Sequence, residues 1–260
     1  MKLKFRLTDD AELADGKIVH STSDDYGNIL VVDYPRYRVL SFDSVYEQSG
    51  FYVEKPYALA HEYSRIMMLV LGFIEPRHIT LLGLGGGSLL RSLHHYLPRC
   101  RFCVVELRPK VYDIALEYFD IPDDQRVSVS INDADLQIKS SEDSSTDIIF
   151  ADLYDAYRMS PVLTQQQFVR ECWRTLSKHG WLVINYHTLP DRHSPVFESL
   201  LDCFGTLLVC PCKSGNFILF ATKSSTLDFE KAAVKLKKME KIFHADLMLP
   251  FNRIVQIVNG

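Results

Sequence analysis

The segment Ile79-Thr80-Leu81-Leu82-Gly83-Leu84-Gly85-Gly86-Gly87-Ser88-Leu89-Leu90-Arg91, followed by Val104-Val105-Glu106, constrains this chain more than any other feature. A short apolar run predicts a buried strand, and the glycines that follow allow a tight turn that a ligand can approach closely. Leu89, Leu90, Leu93 and Leu97 recur at helical spacing, so Ser88 to Leu97 can pack one face on a sheet and point its N-terminus at the ligand. Glu106 ends the next strand about 20 residues beyond the loop, where a carboxylate holds ribose hydroxyls in nucleoside-binding α/β proteins. Ser88 stands where a dinucleotide fingerprint has its third glycine, and no pyrophosphate-binding feature follows. The pattern therefore favours an adenosyl group over NAD.

Strands and helices continue to alternate beyond this unit. Val111 to Phe119 reads as a helix, Val127 to Ile131 as a strand ending at Asn132-Asp133-Ala134-Asp135, and Asp147 to Ala151 as a strand ending at Asp152-Leu153-Tyr154-Asp155. Gln165 to Leu176 reads as a helix closed by a cap at His179-Gly180, and Trp181 to Asn185 as the next strand. Such alternation predicts a mostly parallel, Rossmann-like sheet of the α/β class. Ligands bind beyond the carboxyl ends of strands in open parallel sheets, so Glu106, Asp133 and Asp152 should converge with the glycine loop on one crevice. Two of these acids also have a plainer reading. Asn132-Asp133 is good turn chemistry, and Asp152 could cap a helix.

Before this core, Asn28 to Tyr34 and Arg36 to Phe42 are β-branched and aromatic runs separated by Pro35, which predicts a small antiparallel β domain over residues 1–55, with the nucleoside-binding domain at 56–260. A helical pattern begins at Tyr57 and stops before Pro76. Near the end, Leu207 to Val209 and Phe217 to Phe220 predict an antiparallel edge hairpin turning at Gly215-Asn216, and Phe229 to Lys241 a charged helix.

The 260 residues carry a net charge of −4 with no long basic block, which argues against a broad nucleic-acid interface and accommodates a cationic small molecule. No signal-peptide core and no bilayer-length apolar run is present, so a soluble cytoplasmic protein without membrane partners is expected. Six cysteines, including Cys100-x-x-Cys103 and Cys210-Pro211-Cys212, lack the spacing and histidine company of a zinc site. Reduced thiols and no metal are expected.

Laid out in this way, most of the chain resembles the spermidine synthase family, the polyamine aminopropyltransferases. The resemblance rests on Gln48 at the end of the β region, Pro76-Arg77 ahead of the glycine loop, Glu106, the pair Asp133-Ala134, the D-x-x-D of Asp152 to Asp155, Leu163 through Phe168, and Gly180 to Asn185. It implies a homodimer that uses decarboxylated S-adenosylmethionine and a small amine. It further implies that Gly83, Gly85, Gly86, Gly87, Gln48, Glu106, Asp133 and Ala134 meet the donor, that Asp152 takes the attacking amine, and that Asp155 holds the distal ammonium, with Tyr154 as a pocket wall. The family's loop carries an aspartate for the donor's ammonium at the position of Gly86, and Arg158 puts a cation where a polyamine would pass. These departures keep two other readings open: an S-adenosylmethionine-dependent methyltransferase on the same scaffold, and a nucleoside-binding protein without turnover. The position two residues before the first loop glycine is Leu81, where methyltransferases usually have an acid.

Overall fold

The computed structural model describes residues 16–43 and 46–257. Two sheets account for its strands. The first is a four-stranded antiparallel meander of β1 (Lys17–Asp24), β2 (Gly27–Tyr34), β3 (Tyr37–Phe42) and β4 (Tyr46–Tyr52) in chain order. The expected runs at 28–34 and 36–42 are its central pair, and both faces of that pair are covered. Ile29, Val31, Leu40, Phe42 and Phe51 pack with Val111, Ile114 and Phe119 of the other unit, while Leu30, Val32, Tyr34, Tyr37 and Val39 pack with Ala60. The expected boundary at 55/56 falls in the connection from β4 to α1 (Glu62–Met67). The helical pattern predicted from Tyr57 is shorter than expected, since α1 passes into a 3-10 turn at Met68–Gly72.

The second sheet has eight strands. Its parallel part comprises β5 (His78–Leu82), β6 (Arg101–Glu106), β7 (Val127–Ile131), β8 (Thr146–Ala151) and β9 (Leu176–Tyr186). Three antiparallel strands follow: β10 (Thr206–Pro211), β11 (Phe217–Thr222) and β12 (Val255–Ile257). The spatial order is β12-β10-β11-β9-β8-β5-β6-β7. The chain leaves β5 for β6 and β7 on one side and then returns to lay β8 on the other, so the topological switch point lies between the carboxyl ends of β5 and β8.

Helices cover both faces. They are α2 (Ser88–Tyr96), α3 (Pro109–Tyr118), α4 (Ala134–Ser140), α5 (Gln166–Thr175), α6 (Pro195–Cys203), α7 (Phe229–Phe243) and α8 (Met248–Phe251). On one face Leu90 and Leu93 of α2 join Leu236 of α7 and the 3-10 turn; on the other Ile138, Phe168, Val169 and Leu200 bring in α4, α5 and α6. Both α4 and α6, which the sequence pattern did not single out, have readable starts. Asp133 and Ser194 cap them through backbone N–H groups, and Pro195 occupies the first turn of α6.

Two expectations are corrected. His179-Gly180 does not cap α5, which ends at Thr175. Leu176 is extended and fully buried, so the chain enters β9 at once, and Gly180 falls in an irregular stretch of β9 between the pairs Thr146↔Leu176 and Ile148↔Trp181. The β10–β11 hairpin exists, but it is not an edge pair, because β11 lies against β9 and β12 covers β10.

Candidate active site

The glycine loop is fastened at both flanks. Gly83 N–H donates to the Val105 carbonyl at 2.9 Å, and Asp152 N–H donates to the Leu82 carbonyl at 3.0 Å. Gly83 has φ +91°, and a Cβ there would stand 2.3 Å from the backbone oxygen of Asp152. Gly83→Ala should therefore cost about 2–4 kcal/mol in urea denaturation, combining left-handed strain with a collision that cannot be relieved by a rotamer change. Over Gly85 the loop is open, since a Cβ would meet only Ser49 Cβ, at 4.0 Å. Gly87 begins α2 as its N-cap.

Glu106 lies beneath this loop and is buried. Its Oε2 accepts from Leu84 N–H at 3.0 Å, and its Oε1 accepts from Arg108 N–H at 2.9 Å. Burial raises the Glu106 pKa, opposed by N–H groups of Arg108, Leu84 and Gly85 and by the Arg108 charge. The Arg108 guanidinium reaches back to the first sheet, donating to Asp24 at 2.7 and 3.0 Å and to the Gly27 carbonyl at 3.0 Å. The glycine loop and the β meander are thus mechanically joined.

Gly86, the position lacking the family's loop aspartate, is filled from outside. A Cβ there would lie 2.8 Å from Ser49 Oγ, 2.9 Å from Ser49 Cβ and 3.1 Å from Phe119. Ser49 Oγ in turn sits 3.0 Å from Ser88 Oγ, and Ser88 donates to the Gly50 carbonyl at 3.0 Å. Gly86→Asp should consequently push β4 off the loop and destabilise the fold by about 1–3 kcal/mol, the usual range for overpacking. Thermal melting of Gly86→Asp with and without Ser49→Gly checks this, the second change restoring part of the loss.

Asp152 follows β8 at the switch point, enclosed by polar groups from three segments. Asn185 Nδ2 donates to its Oδ1 at 2.9 Å, and Asn216 Nδ2 donates to Asn185 Oδ1 at 2.8 Å. The Tyr63 phenol lies beside the same carboxylate. Burial pushes the Asp152 pKa up, while Asn185, Tyr63 and the nearby His61 favour its ionised form. Tyr154 OH donates to the Asn185 carbonyl at 2.9 Å, which ties this ring to the end of β9. His61 Nε2 stands 3.2 Å from Glu47 Oε1, and Tyr37 OH donates to the same glutamate oxygen.

The remaining expected residues are placed differently from one another. Asp133 is exposed, and its Oδ1 accepts from Asp135 N–H at 2.8 Å and Leu136 N–H at 3.3 Å, so one oxygen serves α4. Ala134 is buried behind it. Leu107, Ile131 and Leu136 expose apolar surface at the carboxyl ends of the neighbouring strands β6 and β7 and on α4. Asp155 Oδ1 accepts from the N–H groups of Tyr157 at 2.7 Å and Arg158 at 2.8 Å, and the Arg158 Nε lies 3.4 Å from Oδ2. This carboxylate is engaged by its own loop. Gln48 is the unpaired residue of a bulge, because β3 pairs Leu40 with Ser49 and Ser41 with Glu47. It is Glu47 that joins the polar cluster, and nothing in the local pattern announces the bulge. All six cysteines are free. Among the described residues no group of three or more His, Cys, Asp or Glu is placed to hold a metal, and no helix is long and apolar enough to cross a membrane.

No family model matches the chain. A polyamine aminopropyltransferase of Neisseria meningitidis is 34% identical over 223 residues, spanning 84% of each chain. A eukaryotic elongation factor 1A lysine and N-terminal methyltransferase of Xenopus laevis is 31% identical over 63% of this chain and 25% of its own length. Among solved structures, a probable spermidine synthase of Corynebacterium glutamicum superposes with a TM-score of 0.70 at 25% identity, covering 80% of this chain and 81% of that one. With a mostly parallel sheet, a glycine loop and strand-end acids in the order described, the chain belongs to the spermidine synthase family of polyamine aminopropyltransferases.

Proposed function

We propose that this protein transfers an aminopropyl group from decarboxylated S-adenosylmethionine to a di- or polyamine, with Asp152 as the base. The observation that carries the reading is the position of Asp152 at the β5–β8 switch point, against Gly83 and within a cage of Asn185, Tyr63 and His61. A primary amine is protonated at neutral pH, so the crevice must bind an ammonium, take its proton and align the freed nitrogen. Asp152 suits all three tasks, since Asn185 fixes its Oδ1 and Tyr63 and His61 favour the ionised form that an ammonium needs.

The open space over Gly85 and the exposed Leu107, Ile131 and Leu136 fit an adenosyl group lying across the loop. In this reading Glu106 meets the ribose hydroxyls beside Gly83, Gly85, Gly86 and Gly87. Asp133 offers its Oδ2 to the adenine amino group, Ala134 closes the pocket floor, and Gln48 borders the donor from β4. Bound there, the sulfonium donor supplies a carbon already activated for displacement and a neutral thioether as leaving group. The protein's share of the rate is then alignment and proton acceptance, with Tyr154 limiting where the amine enters.

Methyl transfer from S-adenosylmethionine is the second reading, favoured by Gly86 and by the Xenopus methyltransferase among the relatives. The products separate the two. Incubation with decarboxylated S-adenosylmethionine and putrescine should give methylthioadenosine and an amine longer by one aminopropyl unit in mass spectrometry. Formation of S-adenosylhomocysteine from S-adenosylmethionine, with no aminopropylated amine, overturns the first reading.

A further inference from the structure

We infer that Asn216, in the turn between β10 and β11, is a positioning residue for the reaction: its amide decides which way Asn185 faces and so keeps Asp152 hydrogen-bonded as a carboxylate. The inference rests on the reading of Asp152 as the base and extends that site by one residue from a distant segment.

The polarity of the contacts carries the argument. An ionised carboxylate accepts and cannot donate, so the end of the Asn185 amide that faces Asp152 is Nδ2, 2.9 Å from Oδ1. Asn185 Oδ1 then points the other way and needs a donor of its own. Asn216 Nδ2 supplies it at 2.8 Å, and among the described residues no other donor reaches that oxygen. Asn185 is only 2% exposed, so its amide is shut off from bulk water. A primary amide has nearly the same shape in its two orientations, and its hydrogen-bond partners make the choice. Without the Asn216 donor, the orientation that serves Asp152 strands a buried carbonyl oxygen, which is costly.

The fold holds Asn216 in place for this. Asn185 pairs with Ile218 across β9 and β11, and residues two apart on a strand share a face, so Asn216, one position before β11, comes diagonally to the Asn185 side chain. The turn is closed by Cys212 N–H on the Asn216 carbonyl at 2.7 Å and by Gly215 N–H on the Cys212 carbonyl at 3.1 Å, with Gly215 at φ +100°. It is moored to α1, since Lys213 N–H donates to Glu62 Oε2 at 2.6 Å and Arg253 holds Glu62 Oε1 at 2.7 Å. The Tyr154 hydroxyl on the Asn185 carbonyl fixes the Asn185 backbone as well. Rotation of the Asn185 amide is the freedom that remains, and Asn216 removes it.

A hydrogen bond to the ionised form favours that form, so loss of the correctly turned amide moves the Asp152 limb of activity to higher pH. The other titratable groups facing Asp152 are His61 and Tyr63 at the start of α1, with Glu47 behind His61, Tyr154 on the loop after β8, and Cys212 just past β10. The variants below leave all of them in place.

The test is the pH profile of kcat/KM for aminopropyl transfer to putrescine in wild type, Asn216→Ala, Asn216→Asp and Asn185→Ala, and in Asn185→Ala combined with each Asn216 change. Asn216→Asp is isosteric and turns the donor into an acceptor, so it reports even if Asn216→Ala melts early. Both Asn216 changes should move the limb up by about half to one pH unit, the worth of one hydrogen bond, and lower kcat/KM below the limb by about three- to tenfold. Methylthioadenosine affinity, read by calorimetry, should stay unchanged. In the Asn185→Ala background, Asn216→Ala should move the limb no further and Asn216→Asp should lose most of its shift, because the effect passes through that amide. An unmoved limb in both Asn216 variants overturns the inference. So does a shift of equal size with and without the Asn185 amide, which makes the effect one of charge or packing alone. Wild type that gives no aminopropylated amine, or Asp152→Asn that keeps wild-type turnover, overturns the reading of Asp152 itself and is distinguished in that way.

Discussion

Asp152→Asn should lower aminopropyl transfer by a factor of about 10² to 10⁴, the range lost with a positioned general base, while methylthioadenosine affinity stays within a few-fold. An amide is nearly isosteric with the carboxylate, so its oxygen can still accept from Asn185 Nδ2, and the backbone bond to Leu82 is untouched. What disappears is the ability to take a proton and the charge that draws in the ammonium. The wild-type pH profile carries a second signature. Burial raises the Asp152 pKa, and the group works only when ionised. Activity should therefore rise with pH through a limb above the ordinary aspartate range, and the limb belongs to kcat/KM because it reports the free enzyme. Wild-type turnover in Asp152→Asn, or a pH limb at the ordinary carboxylate value, contradicts the assignment.

Glu106→Ala should act on the other substrate. It removes the acceptor for the N–H groups of Leu84 and Arg108 inside a buried loop, at a cost of about 2–4 kcal/mol by the usual penalty for stranded donors. The loop that faces the ligand loosens at the same time as the ribose partner is lost, so methylthioadenosine affinity should fall at least tenfold. Urea denaturation measures the first effect and calorimetry the second. Because Arg108 is tied to Asp24, the loss should also reach the β meander, seen as faster amide exchange in β1 and β2. Equal nucleoside affinity in Glu106→Ala and wild type removes Glu106 from the donor site.

The strand, glycine loop, helix and acid from Ile79 to Glu106 were legible because each depends on local pattern: an apolar run, backbone freedom and helical spacing. The strand β7 was legible to the residue for the same reason. The plainer reading of Asp133 also holds in part, since one of its oxygens caps α4. What sequence left hidden is contact between distant segments. Ser49 fills the space over Gly86 across 37 positions, and only the folded meander brings them together. A single inserted residue in β4 exchanged Gln48 for Glu47 in the polar cluster, an irregularity with no local signature. Asp155 reads as a second acid in a D-x-x-D, and the sequence does not show that the turn that follows donates two N–H groups to its Oδ1. Gly180 read as a helix stop, whereas the buried, extended Leu176 had already ended the helix.

The most direct measurement is a calorimetric titration of the purified protein with decarboxylated S-adenosylmethionine and S-adenosylmethionine in parallel. In the proposed site the strand-end acids Asp152 and Glu106 would oppose the extra carboxylate of the second ligand. Aminopropyl transfer thus predicts a preference of at least tenfold, about 1.4 kcal/mol, for the decarboxylated donor. Tighter binding of S-adenosylmethionine contradicts it and assigns the scaffold to methyl transfer.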